Sequence, residues 1–207
     1  MAVTDHAEGT VSGVGREKFL EQRARFRALQ AELGDKLRLL HGVELNIGRD
    51  GELDYDLEFR RGFDWCLASV HDHLTLDRAA QTKRVVTAMR DPTVRMIGHL
   101  TTRMIGGRPP IDLDPEAILA AAEETGTVLE INGALPRLDL PIEWLRRAAG
   151  RRIDFLLDSD AHMVDELERS RYAKLNAERA GVDPARVVNA GDGERLVAWL
   201  AAGKRPI

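Results

Sequence analysis

At 207 residues the chain is long enough for a full core, and its 43% hydrophobic and 31% charged composition is that of a globular protein. With 30 basic and 34 acidic side chains, a formal charge of −4, it lacks the basic excess of a broad DNA-coating surface. No run approaches the roughly 18 apolar residues of a membrane span, MAVTDHAEGT does not read as a secretory signal, and a single cysteine, Cys66, excludes an internal disulfide and points to a cytoplasmic location.

In chain order, the first predicted strand is AVTDH (2–6), followed by a helix over 16–33, where Phe19, Phe26, Leu29 and Leu33 share a face. RLLHGVEL (38–45) and FDWCLASVH (63–71) are the next strands; a helix over 77–90 and the strand RMIGHL (95–100) follow. DPEAILAA opens a helix over 114–125, with Asp114 as N-cap and Pro115 in its first turn. The strand TVLEIN (127–132), a helix over 141–149, the strand DFLLDSD (154–160) and helices over 163–180 and 192–202 complete the series, GDGE (191–194) turning into the last. Strand and helix in alternation predict an α/β fold with a parallel sheet, open and doubly wound or closed as a barrel. Neither GREK (15–18) nor GGRP (106–109) fits a glycine-rich phosphate loop, which weakens the nucleotide-binding version of an open sheet.

The strands share a habit: they end on chemistry. AVTDH closes on Asp5 and His6, HGVEL carries Glu44, LASVH ends in His71, MIGHL holds His99, and LLDSDAH ends in Asp160 and His162; TVLEIN brings Glu130 and Asn132. In parallel α/β folds the C-terminal strand ends form one rim where binding groups gather. These nitrogen and oxygen donors, with no thiolate among them, suit zinc, manganese or iron. Parity sorts the rest: Asp160 and His162 can face one centre, whereas His41, three residues from Glu44, faces the helices. Asp158 reads as a supporting partner, Asp5 as a brace for His6 or a loop cap, and His73 as a loop residue beyond His71.

TDHAE, HGVEL, LASVHDH, IGHLTTR and DSDAH resemble, in order, successive motifs of the PHP (polymerase and histidinol phosphatase) superfamily. The run GHLTTRMIGGRPPIDLDPEAILAAAEETGTVLEIN with PRLDL is most similar to the PHP domain of bacterial family X DNA polymerases and their stand-alone relatives. The resemblance covers nearly the whole chain and implies one hydrolase domain over 1–207. The implied fold is a distorted TIM-like barrel of seven βα units with up to three divalent metals at its rim. Carried over by position, Glu44, His71 and His99 would serve one metal, Glu44 bridging to a second held with Asp160; His6 and His162 would serve a third. One departure stands out: the family's first strand ends in a His-x-His pair and a further ligand histidine follows, yet no histidine precedes His6. The chain therefore reads as an N-terminally incomplete member lacking the first βα unit, with fewer metals and an unpaired edge on AVTDH.

The activity implied is hydrolysis of a phosphomonoester or phosphodiester by a metal-activated water, without a protein nucleophile. Arg103 and Arg137 are the candidates to clamp the phosphate; Asn132 could orient water or substrate or simply form a turn. The partner would be a small phosphorylated substrate or a nucleic-acid end; a DNA-repair setting rests on the family likeness alone. The competing readings are a metal-dependent amidohydrolase and a catalytically impaired module with a structural or interaction role.

Overall fold

Six strands run parallel in the order β1-β2-β3-β4-β5-β6, each beside its predecessor in the chain. The computed structural model describes residues 1–204. The strands are β1 (Ala2–His6), β2 (Leu40–Asn46), β3 (Trp65–Ser69), β4 (Val94–Ile97), β5 (Val128–Asn132) and β6 (Phe155–Asp158). The helices are α1 (Arg16–Leu33), α2 (Leu57–Arg60), α3 (Arg78–Arg90), α4 (Pro115–Thr125), α5 (Ile142–Ala148), α6 (Ser170–Ala180) and α7 (Gly193–Ala201). A strand order that never reverses removes the doubly wound alternative. Right-handed crossovers of one step put the connecting helices on a single face, so the sheet curls into a barrel-like shape with its other face inward. Among the described residues β1 pairs with β2 alone and β6 with β5, apart from a single bridge from Phe155 to Val187.

The two-residue period of the strands divides the core in two. Val43, Leu45, Cys66, Ala68, Ile97, Leu129, Ile131 and Phe155 face outward and pack with Phe19, Val85, Met89, Ile118 and Leu145 from the helices. A fully buried Phe19 is worth about 2–3 kcal/mol of apolar burial. Trp65, Leu67, Met96, Val128 and Leu156 face inward and form a second cluster against Leu196, Trp199 and Leu200. Helix α7 thus turns its apolar face onto the interior of the curl. Gly42 permits this packing: a Cβ there would lie 2.5 Å from Trp65 Nε1 and 2.7 Å from Thr4 Cγ2.

Several predicted boundaries hold closely. Helix 16–33 is α1, and Asp114 caps α4 by accepting from the backbone N–H groups of Glu116 and Ala117. The helix predicted over 163–180 instead begins as a 3₁₀ segment, Val164–Arg169, before α6. The four-residue α2, capped by Asp56, had no sequence signal of its own. No described helix is long and apolar enough to cross a membrane.

Candidate metal centre

Register does the first part of the work. His6 pairs with Glu44 across β1 and β2, both on the inward face, and the His6 Nδ1 to Glu44 Oε2 distance is 3.3 Å. His71, two residues beyond β3, brings Nε2 to 3.2 Å from Glu44 Oε1, and His99, two beyond β4, brings its Nε2 to 3.1 Å from the same oxygen. A single carboxylate is thus ringed by three imidazoles. Yet His6 Nδ1, His71 Nε2 and Glu44 Oε1, all buried, have no hydrogen-bond partner. They are close without being aligned as donor and acceptor. Two donors each about 2.0–2.1 Å from one zinc-like ion at a tetrahedral angle would sit roughly 3.3–3.4 Å apart, so these spacings are those of a coordination edge. Donor atoms of His6, Glu44 and His71 all lie within 4.8 Å of one another. The residues present fit a divalent ion.

The electrostatics suit it too. Burial would raise the Glu44 carboxyl, but the facing His71 and His99 imidazoles outweigh this and hold it well below the usual range. Burial lowers His6, favouring the neutral ring a metal ligand needs. His99, opposed by the same desolvation, is raised on balance by Glu44.

Beside this group lies a second cluster of carboxyls. Burial, together with the nearby Asp158 and Asp160, pushes Glu130 well above the ordinary carboxylate range; Asp158 is raised as well, first by its own burial. Glu130 accepts from the backbone N–H of His99, which ties β5 to the His99 turn. Asn132 Nδ2 donates to Asp160 Oδ2 at 3.0 Å and to Glu130 Oε2 at 3.3 Å. Asp160 also meets Arg137 Nε at 3.3 Å, and Arg137 Nη1 is buried without a partner. His162 is largely exposed, 6.1 Å from the His6 ring centre; its Nδ1 is 3.0 Å from the Asp160 carbonyl, the contact of a donating N–H, which leaves Nε2 as the free lone pair. His99 and Asp160 adopt positive φ, 22° and 48°, a costly backbone state for non-glycine residues that concentrates at binding sites.

Other expected residues fall elsewhere. Asp5 does not brace His6: odd positions of β1 face the helices, and Asp5 accepts from Gln22 on α1. His73 is exposed at φ 48°, and its carbonyl accepts from Gln81 Nε2 at 2.8 Å. Arg103 gives Nε to the Arg137 carbonyl at 2.7 Å and Nη2 to the Leu138 carbonyl, bracing the loop that presents Arg137. Two positioning residues carry no obvious mark in the sequence. Asn46, two residues after Glu44 on the same face, accepts from His71 N at 3.3 Å and donates to Asp72 Oδ2 at 3.2 Å. Arg84, fully buried, donates to the Asp72 carbonyl at 2.8 Å and the Ile47 carbonyl at 3.3 Å, joining the loops after β2 and β3. The parity of Asn46 with Glu44 was the available signal; a buried arginine on a helix offers none.

No protein-family model matches the chain. It is 32% identical over 202 residues to the DNA polymerase/3'-5' exonuclease PolX of Bacillus subtilis (strain 168), a match covering 97% of this chain and 35% of that protein. The chain therefore spans about a third of that relative's length. It is 30% identical over 181 residues to a probable phosphatase of Aliivibrio fischeri (strain MJ11), covering 83% of this chain and 68% of that protein. A probable phosphatase of Vibrio vulnificus (strain YJ016) is 27% identical over 214 residues, with 99% and 82% covered.

Proposed function

This chain belongs to the PHP (polymerase and histidinol phosphatase) superfamily, and from that premise we propose that it hydrolyses a phosphomonoester or phosphodiester in a metal-dependent reaction with water as nucleophile. The observation that carries the reading is the Glu44 carboxylate within 3.1–3.3 Å of three imidazole nitrogens without hydrogen-bond alignment. Glu44, His6, His71 and His99 would hold divalent ions, with Asp160 and His162 completing the donor set. Bound zinc, manganese or iron would supply Lewis acidity, lowering the pKa of water and offsetting phosphate charge.

The remaining steps belong to the chain. Arg137, which meets Asp160 and keeps one buried nitrogen unpartnered, would pair with a phosphate oxygen. Arg103 keeps the Arg137 loop in place. A small phosphorylated compound or a nucleic-acid end presents the reacting group equally well.

The test is hydrolysis of mono- and bis-aryl phosphates with added manganese or zinc, alongside elemental analysis of the protein. Turnover should disappear with a chelator and return with metal. Glu44→Gln should lower both bound metal and turnover by at least about 100-fold while the circular dichroism spectrum is unchanged. A metal-free protein that turns over no phosphoester under any of these ions would sink the proposal.

A further inference from the structure

On the outer side of β2, away from the rim, a pocket of about 290 Å³ lies under α1, lined among others by Arg23, Arg27, Arg38, His41 and Asp64. His41 and Glu44 project to opposite faces of the strand, so the pocket is separate from the metal centre. Among the described residues none of the three guanidinium groups is in a salt bridge. Arg23 lies over the Phe63 ring at 5.2 Å, and its buried Nε and Nη2 have no hydrogen-bond partner. The one carboxylate in the lining, Asp64, already accepts from the His41 backbone N–H at 2.7 Å. Three cations against one engaged acid is a lining short of negative charge.

The imidazole adds selectivity. Gln22 donates its amide nitrogen to Asp5, which fixes its oxygen toward His41 Nε2 at 2.7 Å. That oxygen can only accept, so Nε2 carries the proton and Nδ1 presents a lone pair. Nδ1 is buried, lines no other bond, and belongs to a side chain that is 5% exposed. Burial, with Arg23 nearby, lowers the basicity of His41 and keeps this tautomer neutral. The lining side chains therefore include three guanidinium forks and an imidazole whose buried Nδ1 is an acceptor without a partner.

We infer that this pocket is a second ligand site, taking the phosphate of a small phosphate ester on Arg23, Arg27 and Arg38 and a hydroxyl of the same molecule on His41 Nδ1. Guanidinium forks match phosphate oxygens better than a point charge would. The volume, about 290 Å³, falls just below the roughly 300–1,000 Å³ of drug-sized sites, which suits a phosphate with a small substituent.

The test is a titration of the full chain, metal-stripped, with glycerol 3-phosphate and separately with inorganic phosphate, followed by nitrogen NMR of the His41 ring and Arg23 Nε. Glycerol 3-phosphate should shift both signals saturably, and more tightly than inorganic phosphate. Arg27→Gln/Arg38→Gln, two exposed positions, should weaken binding at least tenfold and leave aryl-phosphate turnover unchanged. No saturable shift, or equal affinity in the double variant, overturns the inference. A short single-stranded oligonucleotide that shifts these signals where glycerol 3-phosphate does not overturns the small-ligand assignment. Apart from the turnover control, none of these outcomes depends on the metal centre being active.

Discussion

In the proposed centre, metal affinity would depend on residues that never touch an ion. Asn46 sets the direction of His71 through its backbone N–H and anchors the following turn through Asp72. Outer partners of this kind typically govern 10–100-fold in metal affinity. Asn46→Ala should therefore weaken manganese or zinc binding by about 10–100-fold, read by competition with a chromophoric chelator, with little change in melting temperature. Unaltered affinity would mean that His71 is held by its strand alone. The candidate ligands of the proposed centre come from the sequence because strand ends advertise them: apolar runs that stop at His6, Glu44, His71, His99 and Asp160. Asn46 and Arg84 do not, since their roles are hydrogen bonds between loops that only the fold brings together. Asp5 was misjudged for a related reason. A carboxylate next to a candidate ligand histidine lies on the other face of the strand, where Gln22 meets it.

The elements were mostly legible because period and punctuation agree. Asp77, Asp114 and Asp192 each cap the helix that follows with a side-chain oxygen, and the six apolar runs became the six strands. Where the period carries little information, the reading slipped. Helix α2 is too short to show one, and the first turns after His162 tighten to 3₁₀, with Val164 and Leu167 exposed rather than packed. What α7 packs against was equally hidden: its apolar face reads as an ordinary surface helix, yet it covers the inward cluster. Arg95 fixes it there, donating to the Trp199 carbonyl at 2.7 Å and stacking over the indole at 4.2 Å. Trp199→Ala should cost about 2–3 kcal/mol in urea unfolding, below the roughly 3–5 kcal/mol of a fully buried tryptophan because the ring is partly exposed. The same variant should keep its metal affinity, as the indole lies among Trp65, Leu67 and Met96 and not at the rim. Loss of metal together with stability would show that α7 also shapes the centre.

At the scale of the whole molecule, the site and the core meet in one equilibrium. The barrel-like sheet sets the candidate ligands from β1, β2 and the turns after β3 and β4 around Glu44, so an ion bound there would crosslink elements far apart in sequence and stabilise only the folded state. Cys66 can report this. It sits on the outward face of β3 at 2% exposure, and burial pushes its thiol up from 9.0 to about 12. The raised value favours the folded protein fully below pH 9 and less as the pH climbs toward 12. At pH 8 the native thiolate fraction is then on the order of 10⁻⁴, and alkylation requires opening. Iodoacetamide labelling should be slow in the native protein and fast in urea. At a free metal concentration about 100 times the dissociation constant, labelling through global opening should slow by a further factor of about 100. Mass spectrometry of the alkylated chain measures both rates. Rapid native labelling would contradict the burial of Cys66, whereas slow labelling that ignores metal would mean that the ion does not bind the folded state preferentially. Glu44→Gln separates the two causes: it should keep the slow native rate and lose the metal effect.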